Sequence, residues 1–191
     1  DNNYGSNIFI IEGDNSCNDF SGLQQCIDKL KRTEILYKLD SILITNETLF
    51  YNSPIKYALT NINTDIFENA CKYKLVYGIV DKWDGSHRKI LSNVINKWVR
   101  GNFILINNYI LRDIDYKIMY FDKKNMDMMS CKFKINVSKK YEYAVDEWLT
   151  QDKYITKYKD SYEMSKKKLC ILNEHYLGLK LSKYLIIDMR S

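Results

Sequence analysis

From Cys131 to Val137 apolar and polar residues alternate without a break. Cys131, Phe133, Ile135 and Val137 fall on one side of an extended chain, and Lys132, Lys134 and Asn136 on the other. A period of two suits a half-buried strand and not a helix, so this heptapeptide constrains the fold more than any other stretch. Traced back from it, residues 102–137 (NFILINNYILRDIDYKIMYFDKKNMDMMSCKFKINV) predict a three-stranded antiparallel meander. FILI opens the meander, Asn107-Asn108 turns it and a long strand runs to Phe121. DKKN then turns it again before the alternating strand closes it.

Strands and helices are expected on either side. The segment 7–12 (NIFIIE) reads as a strand, followed by a helix with Phe20, Leu23, Cys26, Ile27 and Leu30 on one face and Asp28, Lys29, Lys31 and Arg32 on the other. The next apolar series, Ile35 to Leu43, fits either more helix or a strand at SILIT, and 45–54 reads as loop. Capping-box spacing at Asp65 and Glu68 predicts a helix whose second half, KLVYGIV, is ambiguous. Ser86 is a fair cap for a helix carrying Ile90, Leu91, Val94, Ile95, Trp98 and Val99, with Gly101 as its stop. After Ser138 a helix shows Tyr141, Ala144, Val145, Trp148 and Leu149. A more polar helix runs from about 152 to 172 with Gly178 as its stop, and YLII at 184–187 closes the chain as a strand. The expected fold is α+β over a single domain, 1–191. The meander near 103–137 gains an N-terminal and a C-terminal strand and packs against helices on one face.

The length of 191 residues allows burial of roughly 70% of the surface an unfolded chain would expose. No apolar run approaches the ~20 residues of a membrane helix. The five cysteines (17, 26, 71, 131, 170) form no CxxC and no Cys/His cluster, so zinc is not indicated. They fit buried reduced thiols inside a cell, or one or two disulfides and a spare thiol in a secreted protein. The chain opens on Asp1, which fits a removed leader or a trimmed terminus, so secreted or exported and cytoplasmic readings both stand. Abundant Lys, Asn, Ile and Tyr with scarce Ala suit a low-GC genome.

Charge is localised. Between 132 and 168 ten lysines stand against six acids, with Tyr141, Tyr143, Tyr154, Tyr158 and Tyr162 among them. Cations beside stackable rings suit a single-stranded nucleic acid, whose phosphates need neutralising and whose bases offer π-faces. Lys139, Lys140, Lys153, Lys157, Lys159, Tyr154 and Tyr158 are the candidate contacts. The competing reading is a solvated lysine-rich helix face with its tyrosine rings packed inward.

Asp113, Asp115 and Lys117 would share one face of a strand, where two carboxylates and a lysine suit a divalent cation and phosphoryl chemistry. This Asp113-Ile-Asp115-Tyr-Lys117 run resembles the (D/E)xK half of the PD-(D/E)xK nucleases. The resemblance implies metal binding by Asp113 and Asp115, with Mg or Mn as the only cofactor. The family's upstream Pro-Asp has no counterpart, since Pro54 is followed by Ile. Ile114, Tyr116, Ile118 and Tyr120 occupy the opposite face, so 113, 115 and 117 are also expected simply to meet water. A metal-free alternative pairs Glu12 with His87 or His175 as acid and base. No P-loop, nucleophile elbow or dinucleotide fingerprint occurs.

A full-sized core without an assembled catalytic pattern therefore leads to a non-enzymatic binding or interaction protein, such as a secreted or exported factor of a low-GC parasite or virus. Its expected partner is another protein. A nuclease and a single-stranded nucleic-acid-binding module are the alternatives.

Overall fold

The computed structural model describes residues 13–14, 16–46, 64–85, 87–151, 158 and 160–190. In chain order the elements are β1 (Ser16–Asn18), α1 (Asp19–Arg32), β2 (Ser41–Thr45), α2 (Thr64–Lys72), β3 (Leu75–Lys82), the short strands β4 (Lys89–Ile90) and β5 (Asn93–Val94), and β6 (Lys97–Asn107). There follow α3 (Asn108–Asp113), the short strands β7 (Met126–Asp127) and β8 (Lys132–Phe133), α4 (Lys139–Leu149), α5 (Ser161–Leu181) and β9 (Leu185–Asp188). The α+β class holds: a mixed sheet of order β2-β6-β3-β9 is packed with helices. β6 runs antiparallel to β2 and β3, and β9 runs parallel to β3.

β6 is the centre of the sheet. Its run Phe103-Ile104-Leu105-Ile106 is buried throughout, as a strand covered on both faces requires. Ile104 and Ile106 enter the main core with Phe20 and Ile27 of α1 and Leu169 and Leu172 of α5. Leu105 enters a second core with Leu75, Tyr77 and Ala70 of α2. Helices therefore lie on both faces of the sheet rather than on one. α5 is buried almost all round, including Ser165, Asn173 and His175. No helix among the described residues is long and apolar enough to cross a membrane.

Several expectations need correction. FILI is the end of β6, but Asn107 does not turn a hairpin. Its side chain accepts the Tyr109 N–H at 2.8 Å and caps α3, the other favoured use of Asn. Asp115 and Tyr116 then reverse the chain at positive φ, and 117–122 pairs with no strand. Of the predicted meander after residue 107, only the β7–β8 hairpin forms. The DKKN turn before it is a one-turn 3-10 helix closed by an Asp122–Asn125 capping box. The alternation at 131–137 does hold as burial: 131, 133, 135 and 137 are half-buried and the residues between them exposed.

The helix expected to start at Ser86 (itself outside the described residues) and stop at Gly101 is instead the β4–β5 hairpin followed by the start of β6. Ile90, Ile95, Trp98 and Val99 reach the core, while Leu91 and Ser92 turn the hairpin at positive φ. The β-branched Val94 and Val99 favour the extended form, Val94 paired with Lys89 across the β4–β5 hairpin and Val99 with Val80 of β3. Gly101 lies inside β6, where a Cβ would come within 2.8 Å of the Phe20 ring. Gly178 lies inside α5, which runs on to Leu181, and a Cβ there would meet the Trp98 backbone at 2.9 Å.

Other readings stand. α1 carries Phe20 and Ile27 inward, SILIT is β2, and α2 precedes β3. α4 begins at the Ser138 cap with Tyr141, Val145 and Leu149 buried, and β9 closes the sheet. The expected strand at 7–12 lies outside the described residues, as do 152–157 of the polar helix.

Candidate functional site: a tryptophan-lined cavity

Five elements converge on a cavity of about 670 Å³. β3 ends at its rim with Asp81 and Lys82, and the next residue is Trp83. β6 supplies Trp98 and Arg100, α4 supplies Trp148, and α5 lays Lys167, Cys170, Ile171, Glu174 and His175 along one face. These α5 positions follow the i, i+3, i+4, i+7, i+8 spacing of a single helical stripe. Asp19 and Phe20 at the start of α1 close the remaining side. The chain has three tryptophans, and all three line this space.

Close packing makes the convergence possible. The β3–β6 register slips between Gly78 and Val80, and past this irregularity Asp81 pairs with Trp98. Gly178 lets α5 sit against the Trp98 backbone. The rings then support one another. Trp83 lies 4.8 Å from Trp98 and 4.7 Å from His175, centroid to centroid, and His175 lies 4.2 Å from Trp98. Behind them Tyr141 Oη and His175 Nδ1 are 3.0 Å apart and fully enclosed.

The polar groups fall into fixed and available sets. Arg100 grips Asp81 through two hydrogen bonds, 2.6 and 3.1 Å, with Arg190 3.6 Å from the same carboxylate. Asn46 donates to Asp19 at 2.7 Å. Glu174 accepts the Gly101 N–H at 2.9 Å, and burial raises its pKa against the opposing pull of that bond and of Lys167. Burial works against the Lys167 charge, but the anionic forms of Cys170, Tyr158, Glu174 and Asp19 outweigh it and raise its pKa, with Glu174 and Asp19 the carboxylates among them. The Lys167 ammonium lies 6.0 Å from the centroid of the Trp148 ring. Burial pushes the Cys170 thiol up to about 12 and His175 down to about 3. At neutral pH the thiol is no nucleophile and the imidazole carries no charge.

The residues singled out from sequence are scattered differently. Asp113 closes α3 and is held by Lys183 at 2.7 Å and by the Tyr184 hydroxyl, two hydrogen bonds that lower its pKa. Asp115 is exposed and pairs with Lys31 at 3.4 Å, while Lys117 sits over the Tyr120 ring. The three do meet water, as the burial of Ile114, Tyr116 and Ile118 implied, but they share no strand. Among the described residues no group of three or more His, Cys, Asp or Glu is placed to hold a metal ion. His175 is in the cavity wall, whereas His87 is exposed. Glu12, Lys153, Tyr154, Lys157 and Lys159 lie outside the described residues.

The basic region divides in three. Lys166 pairs with Glu163 and Lys168 with Asp146, each at 2.6 Å, and Lys168 is almost wholly buried. Lys167 and Tyr158 face the cavity. Lys139 and Lys140 line a shallow groove of about 520 Å³ together with His87, Arg88 and Tyr143.

Trp83, Asp81, Arg100 and Glu174 escaped the sequence reading, and Trp98 and Trp148 registered only as core. One signal was present: Lys167 and Glu174 flank Cys170-Ile171 on one helix face, and a charge along a buried stripe marks a site. In comparisons with known proteins, no family model, no curated protein and no solved structure matches this chain.

Proposed function

We propose that this chain is a non-enzymatic binding protein that receives a small ligand, or a protruding group of a larger partner, in the tryptophan-lined cavity. The observation that carries the reading is the meeting of all three tryptophans with Lys167 and Glu174 in one cavity. A half-open cavity that combines aromatic walls with oriented polar groups is a common form of ligand site. Two ionisable groups there have pKa values moved by their surroundings, which fits a recognition site. Burial holds Cys170 and His175 in unreactive protonation states, in keeping with binding rather than turnover.

Tryptophan emission reports on the cavity directly. A panel of nucleosides, saccharides, aromatic amino acids and quaternary amines is titrated against the protein, with thermal melting in parallel. Saturable quenching by one class is expected, together with a raised Tm and at least tenfold weaker binding to Trp148→Ala. A panel without a binder overturns the reading, as does a ligand held equally well by Trp148→Ala and by Arg100→Met.

A further inference from the structure

The tryptophan cavity and the basic groove are neighbours, and the residues between them serve both. Trp83 walls the cavity on one side, and the Arg88 guanidinium lies 4.7 Å from its ring centroid while lining the groove. α4 is shared in the same way. Lys139, Lys140 and Tyr143 face the groove from its first turns, and Val145 and Trp148 face the cavity from its last. Lys140 and Trp148 are eight residues apart, about 12 Å along a helix. That distance is the span of a few nucleotides, given a phosphate about every 3.4 Å in a stacked strand.

The two spaces differ in chemistry. In the groove Arg88, Lys139 and Lys140 outnumber Asp84 and Glu147. Among the described residues neither Lys139 nor Lys140 has an ion pair, and both stand at the positive end of the α4 dipole. The cavity balances acids with bases. Arg100 is neutralised by Asp81, and Lys167 faces Glu174 and Asp19. Its aromatic walls and mixed donors and acceptors suit a flat, uncharged ring with a hydrogen-bonding edge, and the groove suits anions. We infer that the ligand is a single-stranded nucleic acid, with one base unstacked into the tryptophan cavity and its neighbouring phosphates along Arg88, Lys139 and Lys140. The inference rests on the cavity-binding reading and names its ligand. A duplex is excluded as the preferred form because a base must leave its stack to enter such a cavity.

The test uses the full chain with three probes of equal length: a single-stranded 12-mer, the same strand without bases, and the corresponding duplex. Anisotropy and tryptophan quenching are read at two salt concentrations. The intact single strand is expected to quench tryptophan and to bind at least tenfold more tightly than the abasic strand or the duplex. Lys139→Gln/Lys140→Gln weakens the intact and abasic strands alike and lowers the log–log salt slope by about 1.4, two phosphates at about 0.7 each. Trp148→Ala removes the preference for the intact strand, roughly a 5- to 150-fold effect for one stacked base. The abasic comparison needs no variant, so it decides the matter even if Trp148→Ala fails to fold. No binding at low salt, or equal binding of intact and abasic strands, overturns the inference. If a saccharide or amine fills the cavity while the oligonucleotides stay unbound, the nucleic-acid inference falls and the cavity-binding reading survives. If oligonucleotides bind without quenching, bind equally to Trp148→Ala, and no panel compound enters the cavity, both fall.

Discussion

The side-chain amide of Asn173 gives Phe121 what a neighbouring strand would give it. Asn173 Oδ1 accepts the Phe121 N–H at 2.9 Å, and Asn173 Nδ2 donates to the Phe121 carbonyl at 2.9 Å. The same oxygen also accepts the Tyr120 N–H at 2.6 Å. Two residues earlier in the unpaired segment, Gln24 plays the same part, accepting from Ile118 and Met119 and donating to the Tyr116 carbonyl. Two amides on α1 and α5 thus satisfy backbone that the sheet leaves unpaired, which buried peptide groups require.

Asn173→Leu leaves the Tyr120 and Phe121 N–H groups without partners inside the core. It is expected to lower stability by about 2–4 kcal/mol, the combined penalty of two orphaned donors. Gln24→Leu acts on a less enclosed stretch, so its loss should be smaller, about 1–2 kcal/mol. Urea unfolding of both variants checks the order.

Gly178→Ala places a methyl 2.9 Å from Trp98 Cα and 2.5 Å from its Cβ, a contact that rotamer changes do not relieve. α5 must move away from β6 at the cavity. A loss of about 1–3 kcal/mol is expected, as for other overpacked cores. A change in tryptophan emission should accompany the fall in Tm.

His175 sets a pH window. Its folded pKa is near 3 because burial excludes the charged form, against about 6.5 when unfolded. Between those values the unfolded chain binds the extra proton. The histidine's contribution is therefore fully present above about pH 6.5 and is lost on acidification toward 3, by at most about 1.4 kcal/mol per pH unit. Glu174 acts in the opposite sense. Its pKa is raised, so its contribution is present at low pH and is lost as pH climbs through the folded value. Urea midpoints measured from pH 4 to 7 should slope less steeply in His175→Phe and more steeply in Glu174→Gln.

All five cysteines are free, and their exposure ranks their reactivity. Cys71 is exposed and should be labelled first by a disulfide reagent in native buffer. Cys26 and Cys131 are half-buried and should follow. Cys17 and Cys170, both buried and both pushed up to about 12, should react only on unfolding. Mass spectrometry of timed samples gives the order, and early labelling of Cys170 would contradict the enclosed α5 stripe.

The sequence by itself determined much of which side chains are wet and which are dry, although Leu91 and Val94 come out exposed and Lys166 and Lys168 buried. The alternations at 113–118 and 131–137 both appear in the burial, and so do the inward faces of α1 and α4. Being apolar is a property of each residue, and it survives whatever backbone the residue adopts. The tertiary structure decided the backbone where two forms bury the same side chains. Ile90, Ile95, Trp98 and Val99 reach the core from a hairpin and a strand as well as they would from a helix, and pairing of β4 with β5 and of β6 with β3 settles it. The cavity belongs wholly to that second kind of decision. Trp98, Trp148 and Glu174 come from three elements and Trp83 from the residue just past β3, brought together by strand pairing and by α5 packing tightly at Gly178. No local periodicity encodes such a meeting, because its cause is the pairing of segments far apart in the chain.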